Sequence, residues 1–197
     1  MLHAYEAAAD AFTSTAEERA EEPESWWVDR IADPTGLSVA FGAFESDELV
    51  GTVTVKFAAK PKTKHKALLI GVFVLESARG LGAGRALVNA ALGAARQRSG
   101  TLVVTLTVTE GNSPAIRLYE SCGFQVFGIE PMAIATPSAY KGKVHMWLPL
   151  LSAPSAANSS INRSADGRPP GPVYRYAVHC LRPGPGVLPS SAGHLER

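Results

Sequence analysis

The stretch Ala67-Leu68-Leu69-Ile70-Gly71-Val72-Phe73-Val74 runs straight into Leu75-Glu76-Ser77-Ala78-Arg79-Gly80-Leu81-Gly82-Ala83-Gly84-Arg85, and its reading decides the fold. Eight almost wholly apolar residues fit a strand covered on both faces. Beyond the glycines, Leu87, Val88, Ala91, Leu92 and Ala95 form an apolar stripe at helical spacing. The unit is therefore strand, glycine-rich turn, helix. A helix N-terminus carries unpaired N–H groups and the positive end of the helix dipole, so it attracts phosphate. Gly80, Gly82 and Gly84 let an anion approach the backbone, and Arg79 adds a positive charge. The glycines alone equally fit a tight turn against the sheet.

A dinucleotide-binding fold would need Gly-x-Gly-x-x-Gly directly after the strand. Its third glycine would fall at Arg85, and Leu75 to Arg79 intrude before the first. The segment upstream also reads as an antiparallel hairpin, with Leu37, Val39, Phe41 and Ala43 alternating before a turn at Ser46-Asp47-Glu48. Val53, Val55 and Phe57 then alternate after it. A nucleotide fold would begin with its parallel unit, so that reading is set aside.

Further upstream, the first 33 residues read as helices. Leu2, Tyr5, Ala9 and Phe12 recur near helical spacing, and Ser14-Thr15-Ala16-Glu17 fits a capping box for a second helix. That helix runs, broken at Pro23, to Trp26, Trp27 and Ile31, and Asp33-Pro34-Thr35-Gly36 ends it. Downstream, Ser99-Gly100 stops the long helix and Thr101 to Thr109 is a β-branched strand. Asn112-Ser113-Pro114 starts a helix holding Ala115, Ile116, Leu118 and Tyr119, which ends at Gly123. Phe124 to Ile129 and Val144 to Leu150 are strand candidates.

Composition bounds the answer. The 197 residues are 46% hydrophobic and 19% charged, with net charge +1. That is chain enough for one domain and gives no electrostatic argument for nucleic acid. No apolar run approaches the roughly 20 residues of a membrane helix, and no secretion signal is legible. Cys122 and Cys180 suggest neither a disulfide framework nor a metal site. The expectation is a cytoplasmic protein without metal. Residues 1–151 hold 14 basic and 16 acidic side chains, and residues 152–197 hold 5 and 2. The latter segment has 7 Pro, 5 Gly and 7 Ser among 46 residues and no sustained period. The chain divides near Leu151, into a folded domain and a low-complexity, basic, disordered tail.

Arg79-Gly80-Leu81-Gly82-Ala83-Gly84 resembles the Arg/Gln-x-x-Gly-x-Gly/Ala signature of the GNAT superfamily of acyl-CoA-dependent N-acetyltransferases. Asn112-Ser113-Pro114-Ala115-Ile116-Arg117-Leu118-Tyr119-Glu120-Ser121-Cys122-Gly123-Phe124 resembles that family's second motif, Asn-x-x-Ala-x-x-Leu-Tyr-x-x-x-Gly-Phe. The two stand in the family's order, separated by a helix and a strand, and the resemblance covers roughly residues 2–150.

The resemblance implies an α/β fold with a mixed, mostly antiparallel sheet flanked by helices. It implies that Arg79, Gly80, Leu81, Gly82, Ala83, Gly84 and Arg85 bind the pyrophosphate of acetyl-CoA. Phe73 and Val74 pair with the pantetheine arm, where their strand and Thr101–Thr109 splay apart. Asn112 contacts the cofactor near the pantetheine, and is equally a helix cap. Tyr119 holds the place of the general acid at the leaving sulfur; taken outside the motif, a core tyrosine would be the plainer reading. The implied partners are acetyl-CoA and a primary amine, with a homodimer as the default assembly.

Two departures from the pattern stand out. The strand Ala67–Val74 lacks the carboxylate many members carry. Glu110 and His145 are the nearest candidates for a base, a water relay is as open, and no base is assigned. A non-catalytic acyl-CoA-binding module is therefore the competing class. The family opens with a strand before its first helix, and no such strand precedes Leu2. Either the true start lies upstream or the strand is dispensed with, which would expose a sheet edge. The cleft wall formed by the family's early helices would include Trp26 and Trp27, though an indole anchoring its helix in the core is the simpler role.

Overall fold

The computed structural model describes residues 2–7, 9, 12–31, 33–136, 139–150 and 177–181. Three short helices open the chain: α1 (Leu2–Ala7), α2 (Ala16–Ala20) and α3 (Glu24–Ile31). Thr15 caps α2, one residue later than the sequence suggests. Its hydroxyl accepts from the Glu18 N–H at 3.2 Å, and the Glu18 carboxylate accepts from the Thr15 N–H at 2.9 Å. Thr15 and Glu18 offer the same three-residue spacing as Ser14 and Glu17, so sequence alone could not separate the two registers. The break at Pro23 is present. The Asp33 carboxylate then accepts from the Thr35 N–H and hydroxyl at 2.8 and 2.6 Å, tying the turn that ends the helical segment.

The strands are β1 (Ser38–Glu45), β2 (Glu48–Phe57) and β3 (Lys66–Val74). After them come α4 (Ala83–Gln97), β4 (Val103–Thr109), α5 (Ser113–Ser121), β5 (Gln125–Ala135), β6 (Tyr140–Pro149) and β7 (Ala177–Leu181). They form one sheet in the order β5-β6-β4-β3-β2-β1-β7. Among the described residues, only β3 and β4 pair in parallel and every other neighbouring pair is antiparallel. This is the mixed, mostly antiparallel α/β architecture that the resemblance implies.

The two faces of the sheet do different work. Gly51, Val53 and Val55 alternate towards α4, so closely that a Cβ at Gly51 would lie 3.0 Å from a Leu87 methyl. Leu87, Val88, Ala91, Leu92 and Ala95 are all at most 1% exposed, in one cluster with Val104, Leu106 and Met146. Each buried aliphatic side chain there contributes about 1.5–3 kcal/mol of transfer free energy. Thr52 and Thr54 point to the other face, which α1 and α3 cover.

Two sequence expectations need correction. β5 and β6 extend well beyond Phe124–Ile129 and Val144–Leu150. The added residues pair with each other, Ala135 opposite Tyr140, and long-range pairing is invisible to local periodicity. The segment 152–197 is not wholly without structure either. Within it, Ala177–Leu181 forms β7, antiparallel to Ala40–Phe44 of β1. Among the described residues no strand precedes α1, and the edge of β1 is covered by β7 rather than left open. The row of backbone donors and acceptors along β1 supplies the reason, since it accepts any five residues able to extend. The rest of the tail lies outside the described residues.

Candidate active site

The parallel pairing of β3 and β4 is short. Lys66, Ala67 and Leu68 match Val103, Val104 and Thr105, and there the register ends. From Leu69 to Val74, β3 runs without a β4 partner, while β4 continues to Thr109 against β6. A wedge thus opens between the C-terminal halves of two central strands. On the other side, β3 bulges: Thr52 pairs with Phe73 and Thr54 with Ile70, so Gly71 and Val72 together face Val53. Gly71 has φ +61°, which glycine adopts without penalty, and its carbonyl accepts from the Thr52 hydroxyl at 3.2 Å. The sequence reading did not take up Gly71, although an isolated glycine inside an apolar strand run is itself a bulge signal.

Phe73 and Val74 lie on the unpaired half of β3, both half-buried, and Phe73 meets His3 of α1 edge-on at 6.4 Å. After Val74 a 3₁₀ turn, Glu76–Ala78, carries the chain to Arg79. The Arg79 Nε–H donates to the Val74 carbonyl at 3.0 Å, so this arginine straps the loop to the end of β3. Gly80 and Gly82 have φ of +74° and +95°, and Gly82 caps α4. The first α4 bond runs from the Ala86 N–H to the Gly82 carbonyl. The amides of Ala83, Gly84 and Arg85 therefore precede the helical ladder, at the positive end of a 15-residue dipole. Leu81 and Arg85 are exposed beside them, and Ala83 is buried. The geometry suits an anionic group at the mouth of the wedge.

Gly84 has a packing role. A Cβ there would sit 3.1 Å from a Leu118 methyl, so the glycine lets α5 close on the first turn of α4. Tyr119, the next residue, is 7% exposed and meets Phe124 edge-on at 5.9 Å. Burial, with a smaller contribution from neighbouring Cys122, pushes its phenol far above the usual range, so it stays protonated. The Asn112 carboxamide oxygen accepts from the Ala115 N–H at 3.2 Å, the capping role, with Pro114 in the first turn.

The two candidate bases are otherwise engaged. The Glu110 carboxylate accepts from the Gly142 N–H at 3.2 Å, while its own N–H donates to the Gly142 carbonyl. His145 pairs with Glu130 at 3.1 Å on β6, where Thr107 of β4 lies opposite. Among the described residues, no group of three or more His, Cys, Asp or Glu could hold a metal ion. No helix among them is long and apolar enough to cross a membrane.

Behind the bulge lies a cavity of about 70 Å³, against the face covered by α1 and α3. Its walls include Tyr5, Trp27, Arg30, Ile70, Gly71 and Leu181. Trp27 thus lines a cavity, and Trp26 instead lies beneath the guanidinium groups of Arg19 and Arg30, at 4.6 and 4.2 Å. Sequence reasoning singled out the two tryptophans but missed Tyr5, Arg30 and Leu181. Tyr5 comes from α1, Arg30 from α3 and Leu181 from β7, and only tertiary packing brings the three to Gly71.

Known proteins align with this arrangement. The chain is 37% identical over 119 residues to a mycothiol acetyltransferase of Thermomonospora curvata, covering 60% of this chain and 36% of that protein. The chain spans about a third of the length of the curated relatives it matches. A GCN5-related N-acetyltransferase from Kribbella flavida superposes with a TM-score of 0.63 at 26% identity, covering 76% of this chain and 90% of that one. A Salmonella typhimurium structure with its cofactor acetyl-CoA has the same fold, with a TM-score of 0.61 at 20% identity, over 84% and 91% of the two chains. The sequence profile of the acetyltransferase (GNAT) family matches residues 1–124, more than half of the chain, and this chain belongs to that family.

Proposed function

We propose that this chain transfers the acetyl group of acetyl-CoA to a primary amine by direct attack in a ternary complex. The wedge between β3 and β4, with the amides of Ala83 to Arg85 at its mouth, carries this reading. The pyrophosphate would lie on those amides, with the pantetheine arm along Phe73 and Val74. Arg79, held at the end of β3, adds positive charge beside them. The backbone of the Gly71–Val74 segment, free of β4, can hydrogen-bond the thioester carbonyl and polarise it. The amine nitrogen forms the C–N bond, the C–S bond breaks, and sulfur leaves with its electron pair. The proton lost by nitrogen is balanced by the one gained by sulfur. Tyr119, kept protonated by burial, supplies that proton or a hydrogen bond. Holding both reactants in one cleft makes the attack effectively intramolecular.

The identity to mycothiol acetyltransferases supports a small-molecule amine over a protein N-terminus. A cytoplasmic enzyme acting as a homodimer completes the reading. One observation favours a second one, a non-catalytic acyl-CoA-binding module. Neither β3 nor β4 carries a carboxylate, and the Glu110 carboxylate is spent on Gly142. Titration calorimetry with CoA and an assay of CoA release over a panel of amines decide between them. Binding with amine-dependent release supports the enzyme, and binding without release supports the module. Absence of binding removes both.

A further inference from the structure

The cavity behind Gly71 has one charged wall, and its chemistry points to a class of acceptor. At about 70 Å³ it has room for several waters, and so for at least part of a small molecule. Tyr5, Trp27, Ile70 and Leu181 make it largely apolar, and among the described residues Arg30 of α3 is its single charged lining residue. The Arg30 guanidinium lies over the Trp26 ring at 4.2 Å, which fixes it without neutralising it. The contrast with Arg19 on the same ring is informative. Arg19 is matched by Glu22 at 2.9 Å, whereas among the described residues no carboxylate pairs with Arg30. A guanidinium held by stacking beside an apolar cavity, with its hydrogen-bonding edge unspent, is suited to a bidentate bond with a carboxylate.

Resting on the acetyltransferase reading above, we infer that Arg30 selects acceptors carrying a carboxylate close to the reacting amine. Arg30 binds the carboxylate and so positions the amine at the Gly71 bulge, where the transfer takes place as written above. It is a positioning residue: it touches the acceptor away from the bond that forms.

The test compares L-leucine and L-phenylalanine with L-leucinamide and L-phenylalaninamide, following CoA release, in the whole chain and in Arg30→Met and Arg30→Lys. The free amino acids should be turned over at least tenfold more efficiently, through KM. Arg30→Met should erase that ratio by raising KM for the acids alone, and Arg30→Lys should restore part of it. CoA affinity and melting temperature, measured alongside, should be unchanged in both variants. Amides used as well as the acids by the unsubstituted chain would overturn the proposal. So would a ratio indifferent to Arg30→Met, or CoA binding with no transfer to any of the four. Failure to bind CoA at all would instead overturn the cofactor reading, and the proposal would fall with it.

Discussion

At the scale of single residues, Tyr119 carries the sharpest expectations. Replacing it with Phe should lower kcat on the order of 100-fold in the CoA-release assay, with CoA affinity unchanged by calorimetry. Because burial holds the phenol protonated, the activity of the unsubstituted chain should show no alkaline loss from Tyr119 up to about pH 10. Its effect on stability has the opposite flavour. Below about pH 10 the folded and unfolded chains both keep the proton, so Tyr119 contributes no pH dependence. Above it the unfolded chain ionises while the fold resists, and stability falls as the pH rises. Melting curves between about pH 8 and 11 should therefore decline less steeply for Tyr119→Phe than for the parent. The two cysteines should also part company. Burial raises the Cys122 thiol despite nearby Arg85, whereas Cys180 lies exposed on β7. Iodoacetamide at about pH 8 should label Cys180 first, by mass spectrometry of digests, and an equal rate at Cys122 would contradict its burial. The turn and capping geometry of the two motifs was readable from sequence because each depends on local spacing. Arg79 is the partial exception, since no spacing rule reveals that its side chain turns back to the Val74 carbonyl.

Among elements, the link from β3 through the glycine loop to α4 was legible because every part of it is local: an apolar run, left-handed glycines and a 3.6-residue stripe. Gly82 holds that link together. With φ +95°, a valine there would cost on the order of 1–2 kcal/mol in backbone strain and turn the amides of the first helical turn aside. Gly82→Val should therefore abolish CoA binding by calorimetry, and retained affinity would show that the loop is not the phosphate cradle. The register around the Gly71 bulge and the early end of β3–β4 pairing were illegible for the converse reason. Both are defined by what lies on neighbouring strands, Thr52 to Thr54 on one side and Thr105 on the other. The capping box shows how narrow the margin can be. Ser14 with Glu17 and Thr15 with Glu18 satisfy one rule, and the fold uses the second.

For the molecule as a whole, the two sheet edges differ. On one, β5 exposes Phe127, Ile129 and Met132, each more than half accessible. On the other, β7 shields β1, and its Leu181 lies 3.0 Å from where a Cβ at Gly42 would be. Removing residues 152–197 should lower the melting temperature by several degrees and promote self-association on gel filtration, as the edge of β1 becomes available. An unchanged melting point and elution volume would mean that β7 adds nothing to the sheet. No signal in Ala177-Val178-His179-Cys180-Leu181 announces this strand, because five residues carry too little pattern to be read without the partner that extends them.

The pairing of β7 with β1 joins residues more than 130 positions apart, and that separation sets an order of events. Contacts so distant in sequence cost the most chain entropy to form, so they come last in folding and are the first to open. The hairpin of β1 and β2 and the β3–α4 unit can assemble while the end of the chain is still being made. Leu181, which walls the cavity behind Gly71, arrives only afterwards. Competence to bind cofactor should therefore precede competence to hold acceptor, both in synthesis and in refolding, and slow amide exchange should fade from β7 before it fades from β3.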